Sequence, residues 1–263
     1  MTTTFRWGVV LLALAAGNLI SFAGENAPKA EQLTFEGADG WALHGTLHLP
    51  AEAPAGAAIC HPMLSKTRGT YDALVPKLLA KDLAVFAYDA RGHGASVKGA
   101  DGKARPGWDG RLGMDKEDLA FWAGLVDDLA KAKALIAEKL KLPGKRVALV
   151  GASVGANASL RLALKDADLG ALVLLSPGEN YCGLTSLDAA PALSVPLFVA
   201  MSERDPSSKD APAKLFVGAE KLKVEDKALK RFPGNEHGTN LFAKHPELMD
   251  DLARWVGERV TGK

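Results

Sequence analysis

The sequence contains no long block of charge of one sign. Its 32 Lys and Arg residues nearly balance its 31 Asp and Glu residues, which leaves a net charge of +1. Proteins that bind nucleic acid or an anionic membrane surface concentrate basic residues in a patch or a run. The charge pattern therefore indicates no nucleic-acid partner, and a small molecule is the expected ligand.

Cysteine is also scarce, because the 263 residues include only Cys60 and Cys182. Both lie where we expect inner strands to end. A disulfide would require their Cα atoms to lie within about 7 Å of each other. The sequence therefore predicts two free, buried thiols.

The usual nucleotide and metal motifs are missing. The sequence has neither G-x-G-x-x-G nor G-x-x-x-x-G-K-[ST], whose glycine-rich loops hold nucleotide phosphates. None of the six histidines lies near other residues in a pattern typical of metal ligands. We therefore expect no metal and no other cofactor.

An apolar run occurs at the N-terminus, where Arg6 precedes the stretch from Trp7 to Ile20 and small residues precede a cut after Ala23. The run is short and interrupted, and a membrane span needs about 20 apolar residues. This pattern predicts a signal peptide, 1–23, ahead of a single domain, 24–263. The expected protein is exported to the periplasm or secreted, with no stable membrane anchor after cleavage; the alternative is an uncleaved anchor.

The rest of the chain alternates between short apolar runs and helical stretches. Two extended runs flank Asp39-Gly40, which predicts a hairpin. The runs that follow are nearly continuous except for the last, a pattern typical of parallel strands covered on both faces. They occupy residues 56–60, 83–89, 146–151, 169–176, 195–201 and 227–234.

Apolar residues recur at helical spacing between these runs, most clearly over 115–140. Asp115 is a plausible N-cap, and Pro143-Gly144 stops the helix. Strands and helices in regular alternation predict an α/β fold, a doubly wound sheet with ligands at the carboxyl ends of its strands. Residues 97–113 interrupt this order as a polar, glycine-rich insertion, which predicts a mobile loop.

Ser153 lies in the string Gly-Ala-Ser-Val-Gly, which comes directly after the apolar stretch 146–150 and directly before a helical stretch. A sharp turn between strand and helix strains the serine and exposes its hydroxyl, and the flanking glycines let neighbouring backbone pass. The context favours a nucleophile over a serine in an ordinary turn.

A serine nucleophile needs a histidine base and a carboxylate that orients it. Asp205 follows the run 195–201, and His237 follows the run 227–234. Both therefore reach the edge of the sheet that carries Ser153. We predict that these three residues form a catalytic triad.

Other acidic residues and histidines compete for these roles. Glu203 lies closer to its strand and Glu236 is expected to face solvent, so the alternative acid is Glu179, after the run 169–176. The remaining histidines are expected elsewhere: His44 and His48 on an exposed hairpin, and His245 at the start of the last helix.

Attack on a carbonyl also requires amide donors for the developing oxyanion. Val154, the residue after the nucleophile, supplies one candidate. Pro62 has no N–H, so Met63 is the candidate in the loop after the run 56–60. His61 is expected to brace that loop.

Taken together, these motifs resemble those of the α/β-hydrolase superfamily over nearly all of the chain after the N-terminal segment. Within it the chain is most similar to dienelactone-hydrolase-like and serine-aminopeptidase-like esterases. The matching stretches are GASVGA, CHPM, AYDARGHGAS, SERDP and NEHGTNLF. The chain departs from the family at Pro62, where the oxyanion loop usually carries glycine after the histidine.

The resemblance implies an eight-stranded, mostly parallel sheet with helices on both faces and an antiparallel N-terminal hairpin. It also implies that His93 and Ser96 belong to a structural turn. The segment where the family often inserts a cap spans only 177–194 here, which predicts a minimal cap and a shallow site. Tyr181 and Leu184 are candidates to line the acyl pocket, and Trp108 of the glycine-rich loop is a candidate to close over it.

The sequence thus predicts a serine hydrolase that cleaves a carboxylic ester or related acyl compound through an acyl-enzyme. The alternatives are a peptidase or thioesterase of the same fold, or a non-catalytic protein that binds a small ligand. The sequence leaves the oligomeric state and the substrate open.

Overall fold

The computed structural model describes residues 27–104 and 116–262. The predicted signal peptide, the predicted helix cap Asp115 and the candidate pocket residue Trp108 lie outside the described residues. The insertion 97–113 is described only as far as residue 104, where Lys98 forms isolated bridges with Ala42 and Ala104.

Ten strands and six helices follow one another along the described chain. The strands are β1 (Lys29–Glu36), β2 (Ala42–Leu49), β3 (Gly56–His61), β4 (Leu83–Tyr88), β5 (Val147–Ala152), β6 (Ala171–Leu175), β7 (Asn180–Tyr181), β8 (Leu184–Thr185), β9 (Leu197–Ser202) and β10 (Lys227–Phe232). The helices are α1 (Val75–Leu79), α2 (Lys116–Leu140), α3 (Val154–Lys165), α4 (Ala211–Gly218), α5 (Leu241–Lys244) and α6 (Glu247–Val260). Within the described ranges, none of the helices is both long and apolar enough to cross a bilayer.

Eight of these strands form one sheet in the order β1-β2-β4-β3-β5-β6-β9-β10. β2 is antiparallel to both β1 and β4, and the other neighbouring strands are parallel. The hairpin turns at Asp39 and Gly40, whose φ angles of 57° and 73° favour glycine and short polar residues. The predicted fold, with its antiparallel N-terminal hairpin, is confirmed.

Two apolar layers cover the sheet. In β5, Val147 and Leu149 belong to the cluster that includes side chains of α2, α3 and α4. Ala148 and Val150 belong to the cluster that includes side chains of α1, α5 and α6. Because both faces of the inner strands are buried, the strands need apolar residues at nearly every position.

The predicted strand boundaries differ from the observed ones by a few residues. Leu169 and Val195 are fully buried, yet they precede the first paired residues of β6 and β9. Burial therefore extends beyond the hydrogen-bonded ladder, so the length of an apolar run overestimates the length of the strand.

The prediction for the two cysteines is partly wrong. Both are free, and Cys60 is fully buried in β3. Cys182 is only half-buried, because it lies with a φ of 54° in the turn between β7 and β8 rather than at the end of an inner strand.

The hairpin histidines are less exposed than predicted. His44 and His48 are half-buried, and His44 Nδ1 lies 3.0 Å from Thr34 Oγ1 on the neighbouring strand. His245 precedes α6 by two residues instead of beginning it. None of the three lines the cleft that contains the candidate site residues.

The carboxyl ends of β3, β5, β6, β9 and β10 meet at one edge of the sheet. Met63 follows β3, Ser153 follows β5, Asp205 follows β9 and His237 follows β10. The segment after β6 is short, as expected. Residues 177–194 contain a small hairpin, whose strands β7 and β8 have two residues each, and one short 3-10 helix. This topology gathers the candidate site residues from separate parts of the sequence.

Candidate active site

Ser153 occupies a sharp turn between β5 and α3. Its φ of 54° and ψ of −120° lie outside the regions that L residues favour, so the backbone is strained at this serine. A Cβ atom on Gly151 would overlap the carbonyl of Gly155. A Cβ atom on Gly155 would lie 2.6 Å from the carbonyl oxygens of His61 and Pro62. The two glycines therefore allow the turn and the loop after β3 to pack together.

Asp205 and His237 form a hydrogen-bonded pair. His237 Nδ1 lies 2.7 Å from Asp205 Oδ2, so the ring N–H donates to the carboxylate. Ser208 Oγ donates to the same oxygen at 2.7 Å, and the amide of Ser207 donates to Oδ1 at 2.9 Å. The Asp205 side chain is fully buried, whereas that of His237 is 22% exposed. The carboxylate thus fixes the orientation of a ring that keeps one edge open.

The environment of Asp205 favours its ionised form. Burial acts to raise the pKa of the carboxyl group. The hydrogen bonds from His237, Ser208 and Ser207, with the charge that His237 carries when it is protonated, outweigh burial and hold the pKa below its ordinary value. Asp205 is therefore an anionic hydrogen-bond acceptor at neutral pH.

Backbone hydrogen bonds join the loops that carry Asp205 and His237. The amide of Glu203 donates to the Phe232 carbonyl, and the amide of Arg204 donates to the Gly234 carbonyl, each at 2.9 Å. On the other side of the histidine, the amide of Gly238 donates to Ser176 Oγ at 3.0 Å. These bonds hold the histidine loop against both the acid loop and the end of β6.

The alternative acids take no part in this pair. Glu203 and Glu179 are exposed. Glu236 is half-buried rather than facing solvent as predicted, because its Oε2 accepts from the amide of Asn235 at 3.1 Å and lies 3.5 Å from Ser202 Oγ. Of these carboxylates, Asp205 is the one hydrogen-bonded to His237.

The candidate oxyanion loop lies beside the start of α3. The Tyr71 hydroxyl donates to the His61 carbonyl at 2.7 Å and lies 3.2 Å from the Val150 carbonyl, which links the ends of β3 and β5. Met63 follows this link and Val154 begins α3, where amide groups have no partner within the helix. Among the described residues the Met63 amide has no protein acceptor. Both amides are therefore available to a ligand.

A cleft of about 330 Å³ brings most of the candidate residues together. It is lined by Met63, Leu64, Ser153, Val154, Asn180, Tyr181, Cys182, Ser207 and His237. Leu184 does not line this cleft, because it faces the core and is buried there. No hydrogen bond joins Ser153 Oγ to His237 in the described structure, although both residues line the cleft.

Asn157 fastens the cap hairpin to the helix that follows Ser153. Its Nδ2 donates to the carbonyls of Gly178 and Leu184 at 2.9 and 2.7 Å, and its Oδ1 accepts from the amide of Gly178 at 3.1 Å. Ser186 Oγ adds a bond of 2.7 Å to the Gly178 carbonyl. The cap is therefore anchored one helical turn from the nucleophile candidate.

The sequence motifs assign no role to four residues that shape the site: Asn157, Ser208, Ser176 and Tyr71. Two of them have a local signal: Asn157 follows Ser153 by four residues, which places both on one helix face, and Ser208 follows Asp205 within an Asx-type turn. Ser176 and Tyr71 act on loops that are distant in sequence, so no local pattern could identify them.

The turn after β4 is structural, as the resemblance implied. Asp89 accepts from Arg68 Nη1 at 2.5 Å and from the Ala95 amide at 2.9 Å. Ser96 Oγ accepts from the amide of His44 at 2.9 Å. His93 Nδ1 lies 2.9 Å from the carbonyl of Arg91. These side chains hold the loop in shape and line no part of the cleft.

Within residues 27–104 and 116–262, no three His, Cys, Asp or Glu side chains are arranged to hold a metal ion.

Comparisons with known proteins agree with the fold. Residues 53–181 match the family described as serine aminopeptidase, S33. This match includes Met63, Ser153 and Val154 but ends before Asp205. No curated protein matches the chain in sequence.

Solved structures resemble the chain over most of its length. An esterase from Pyrococcus furiosus superimposes with a TM-score of 0.69 at 16% identity, over 88% of this chain and 93% of that one. A cold-adapted esterase from an Arctic intertidal metagenomic library has a TM-score of 0.65 at 18% identity, over 89% and 95%. The esterase domain of a Rhodothermus marinus protein has a TM-score of 0.65 at 17% identity, over 88% and 100%. Its sheet topology and these structural similarities show that the chain has the α/β-hydrolase fold.

Proposed function

We propose that the protein is a serine hydrolase that cleaves carboxylic esters of small molecules through Ser153, His237 and Asp205. The observation that carries this proposal is the strained Ser153, which lines the same cleft as a histidine held at 2.7 Å by a buried carboxylate. A serine in an ordinary turn requires neither the strain nor the paired histidine.

The proposed reaction begins with Ser153 Oγ attacking the ester carbonyl carbon while His237 Nε2 takes the hydroxyl proton. Asp205 holds the opposite ring nitrogen and stabilises the positive imidazolium that forms. The bond from serine to the base is commonly long before a substrate closes it. His237 then protonates the leaving alcohol, and water releases the acid from the acyl-enzyme by the same proton transfers.

The backbone amides of Met63 and Val154 are the proposed donors to the tetrahedral oxyanion. The position of Gly155 against the carbonyls of His61 and Pro62 supports this assignment, because it fixes the loop after β3 beside the helix N-terminus. Donors held in place before the reaction stabilise developing charge without reorganisation. Pro62 therefore does not prevent an oxyanion site, since the following residue carries the N–H.

The lining of the cleft favours uncharged, short acyl groups. None of the nine described lining residues is Asp or Glu. An aminopeptidase must bind the ammonium group of its substrate, and a buried charge of this kind requires an opposite charge. A volume of about 330 Å³ is also at the small end of ligand sites, which span roughly 300–1,000 Å³. Short-chain esters are therefore the proposed substrates.

The direct test is hydrolysis of p-nitrophenyl esters with acyl chains of 2 to about 12 carbons. We expect activity on acetate and butyrate that declines with longer chains. Ser153→Ala is expected to lower kcat by about 10⁴-fold or more. Ser207→Ala is the matched control, because it removes a hydroxyl from the same cleft and keeps the amide that binds Asp205.

Two other results would replace this proposal. Faster cleavage of alanine p-nitroanilide than of every ester would support the peptidase alternative suggested by the matched family. Full esterase activity in Ser153→Ala would show that Ser153 is not the nucleophile.

A further inference from the structure

Tyr181 is a cap residue that lies beside the proposed catalytic residues. It lines the cleft together with Ser153 and His237. Its ring meets the His237 ring edge-on, at a centroid distance of 6.1 Å and an interplanar angle of 84°. The cap hairpin thus places a phenol beside both the nucleophile candidate and the base candidate.

The Tyr181 hydroxyl is buried beside the Ser153 hydroxyl and makes no hydrogen bond of good geometry within the described part of the chain. A buried polar group without a partner costs about 1–3 kcal/mol. Groups of this kind are uncommon in folded proteins, and catalytic or ligand-binding roles are among their explanations.

The cap holds this hydroxyl in a fixed position. Tyr181 pairs with Leu184 in the hairpin, and Asn157 binds the Leu184 carbonyl at 2.7 Å. The ring packs against Gly178 so closely that a Cβ atom there would overlap it. The phenol therefore cannot swing away to find another partner without disturbing the cap.

From this geometry, and given the proposed function, we infer that the Tyr181 hydroxyl donates a third hydrogen bond to the substrate carbonyl oxygen as it becomes an oxyanion. It joins the two proposed amide donors, and unlike them it comes from the cap. The site is then complete only when the hairpin is in place.

The phenol is suited to donate rather than to accept a proton. Burial, followed by the negative charge of Asp205, raises the pKa of Tyr181, while the neighbouring Ser153 hydroxyl opposes this shift. The net pKa is above the ordinary value for tyrosine. Tyr181 therefore keeps its proton at neutral pH, and His237 remains the base.

The test compares Tyr181→Phe with the unaltered protein on p-nitrophenyl butyrate. We expect kcat to fall about 10²-fold with KM nearly unchanged, because the bond forms only in the transition state. A trifluoromethyl ketone with a butyl chain forms a tetrahedral adduct with serine. Its inhibition constant should rise by the same factor as kcat/KM falls.

Tyr88→Phe is the matched control, because the Tyr88 hydroxyl is likewise buried without a partner in the described structure but lies outside the cleft. We expect its kinetics to be unchanged. Both variants should melt within about 2 °C of the parent or above it, since neither loses a protein hydrogen bond of good geometry.

Three outcomes would overturn the inference. Unchanged kinetics in Tyr181→Phe would show that the hydroxyl has no role in the reaction and that the side chain contributes only packing. A rise in KM alone would place its contact away from the reacting carbonyl. A large drop in Tm would mean that the hydroxyl has a structural partner. Failure of the proposed function is distinguishable, since Ser153→Ala would then keep its activity whatever Tyr181→Phe does.

Discussion

Asp205 illustrates how a single buried side chain is prepared for one role. Its two carboxylate oxygens accept four hydrogen bonds, from His237, from Ser207 and twice from Ser208. A buried carboxylate with this number of donors remains ionised and cannot turn away from the histidine. The sequence predicts the aspartate from its place after a strand, but not the serine that helps to hold it.

This arrangement predicts that Asp205→Asn lowers kcat/KM by about 10³- to 10⁴-fold, because the amide no longer stabilises the correct ring tautomer. Glu203→Gln, Glu236→Gln and Glu179→Gln are the controls and should stay within a few-fold of the parent. Steady-state kinetics on p-nitrophenyl butyrate checks all four. A larger loss in any glutamine variant than in Asp205→Asn would assign the acid elsewhere.

His61 is the opposite case, a buried side chain without hydrogen bonds. Neither ring nitrogen has a partner in the described structure, and its ring lies 5.3 Å from that of Tyr88. Burial, followed by repulsion from His93, lowers its pKa from 6.5 to about 3. The ring is therefore neutral in the folded protein above about pH 3.

The lowered pKa of His61 predicts a pH-dependent stability. Between about pH 6.5 and 3 the unfolded chain binds a proton at this residue and the folded protein does not. The free energy of unfolding should therefore fall with decreasing pH, by up to about 1.4 kcal/mol per pH unit from this group. In His61→Phe, the unfolding free energy measured with urea should change less steeply with pH between pH 4 and 7 than in the parent protein. Parallel curves would contradict the assignment.

At the scale of elements, the nucleophile turn and the cap hairpin differ in how far sequence determines them. Two glycines flank Ser153, and local sterics alone then specify a turn. The hairpin β7-β8 has two-residue strands with no periodicity to detect, and it is held by Asn157 and Ser186 from outside the hairpin strands. For this reason the sequence predicts Leu184 in the acyl pocket, whereas the residue packs in the core.

Asn157→Ala tests the anchoring of the cap. The substitution removes the hydrogen bonds that Asn157 makes with the amide and carbonyl of Gly178 and with the carbonyl of Leu184. We therefore expect a loss of about 2–4 kcal/mol in unfolding free energy. KM for p-nitrophenyl butyrate should rise, because Asn180 and Tyr181 line the cleft.

The exposed Asn240 provides the comparison for this prediction. Asn240→Ala should change the unfolding free energy by no more than about 0.5 kcal/mol and leave KM unaltered. If the two alanine variants were equally stable, Asn157 would not anchor the cap.

At the scale of the whole molecule, one sheet joins residues that are far apart in sequence. The alternation of apolar runs and helices suffices to predict that sheet, because burial on two faces imposes an apolar pattern on the inner strands. The same argument predicts which loops converge, since parallel strands end at one edge. Loop contacts such as that between Ser176 and Gly238 depend on the assembled sheet, so they cannot be predicted from single segments.

The proposed reaction requires Ser153 as the nucleophile, and covalent labelling tests this role most directly. The purified protein is treated with an ethyl fluorophosphonate, digested and analysed by mass spectrometry. We predict one adduct, on the peptide that contains Ser153, and no adduct in Ser153→Ala. An unlabelled Ser153 in a folded protein, or equal labelling of the alanine variant, would contradict the account.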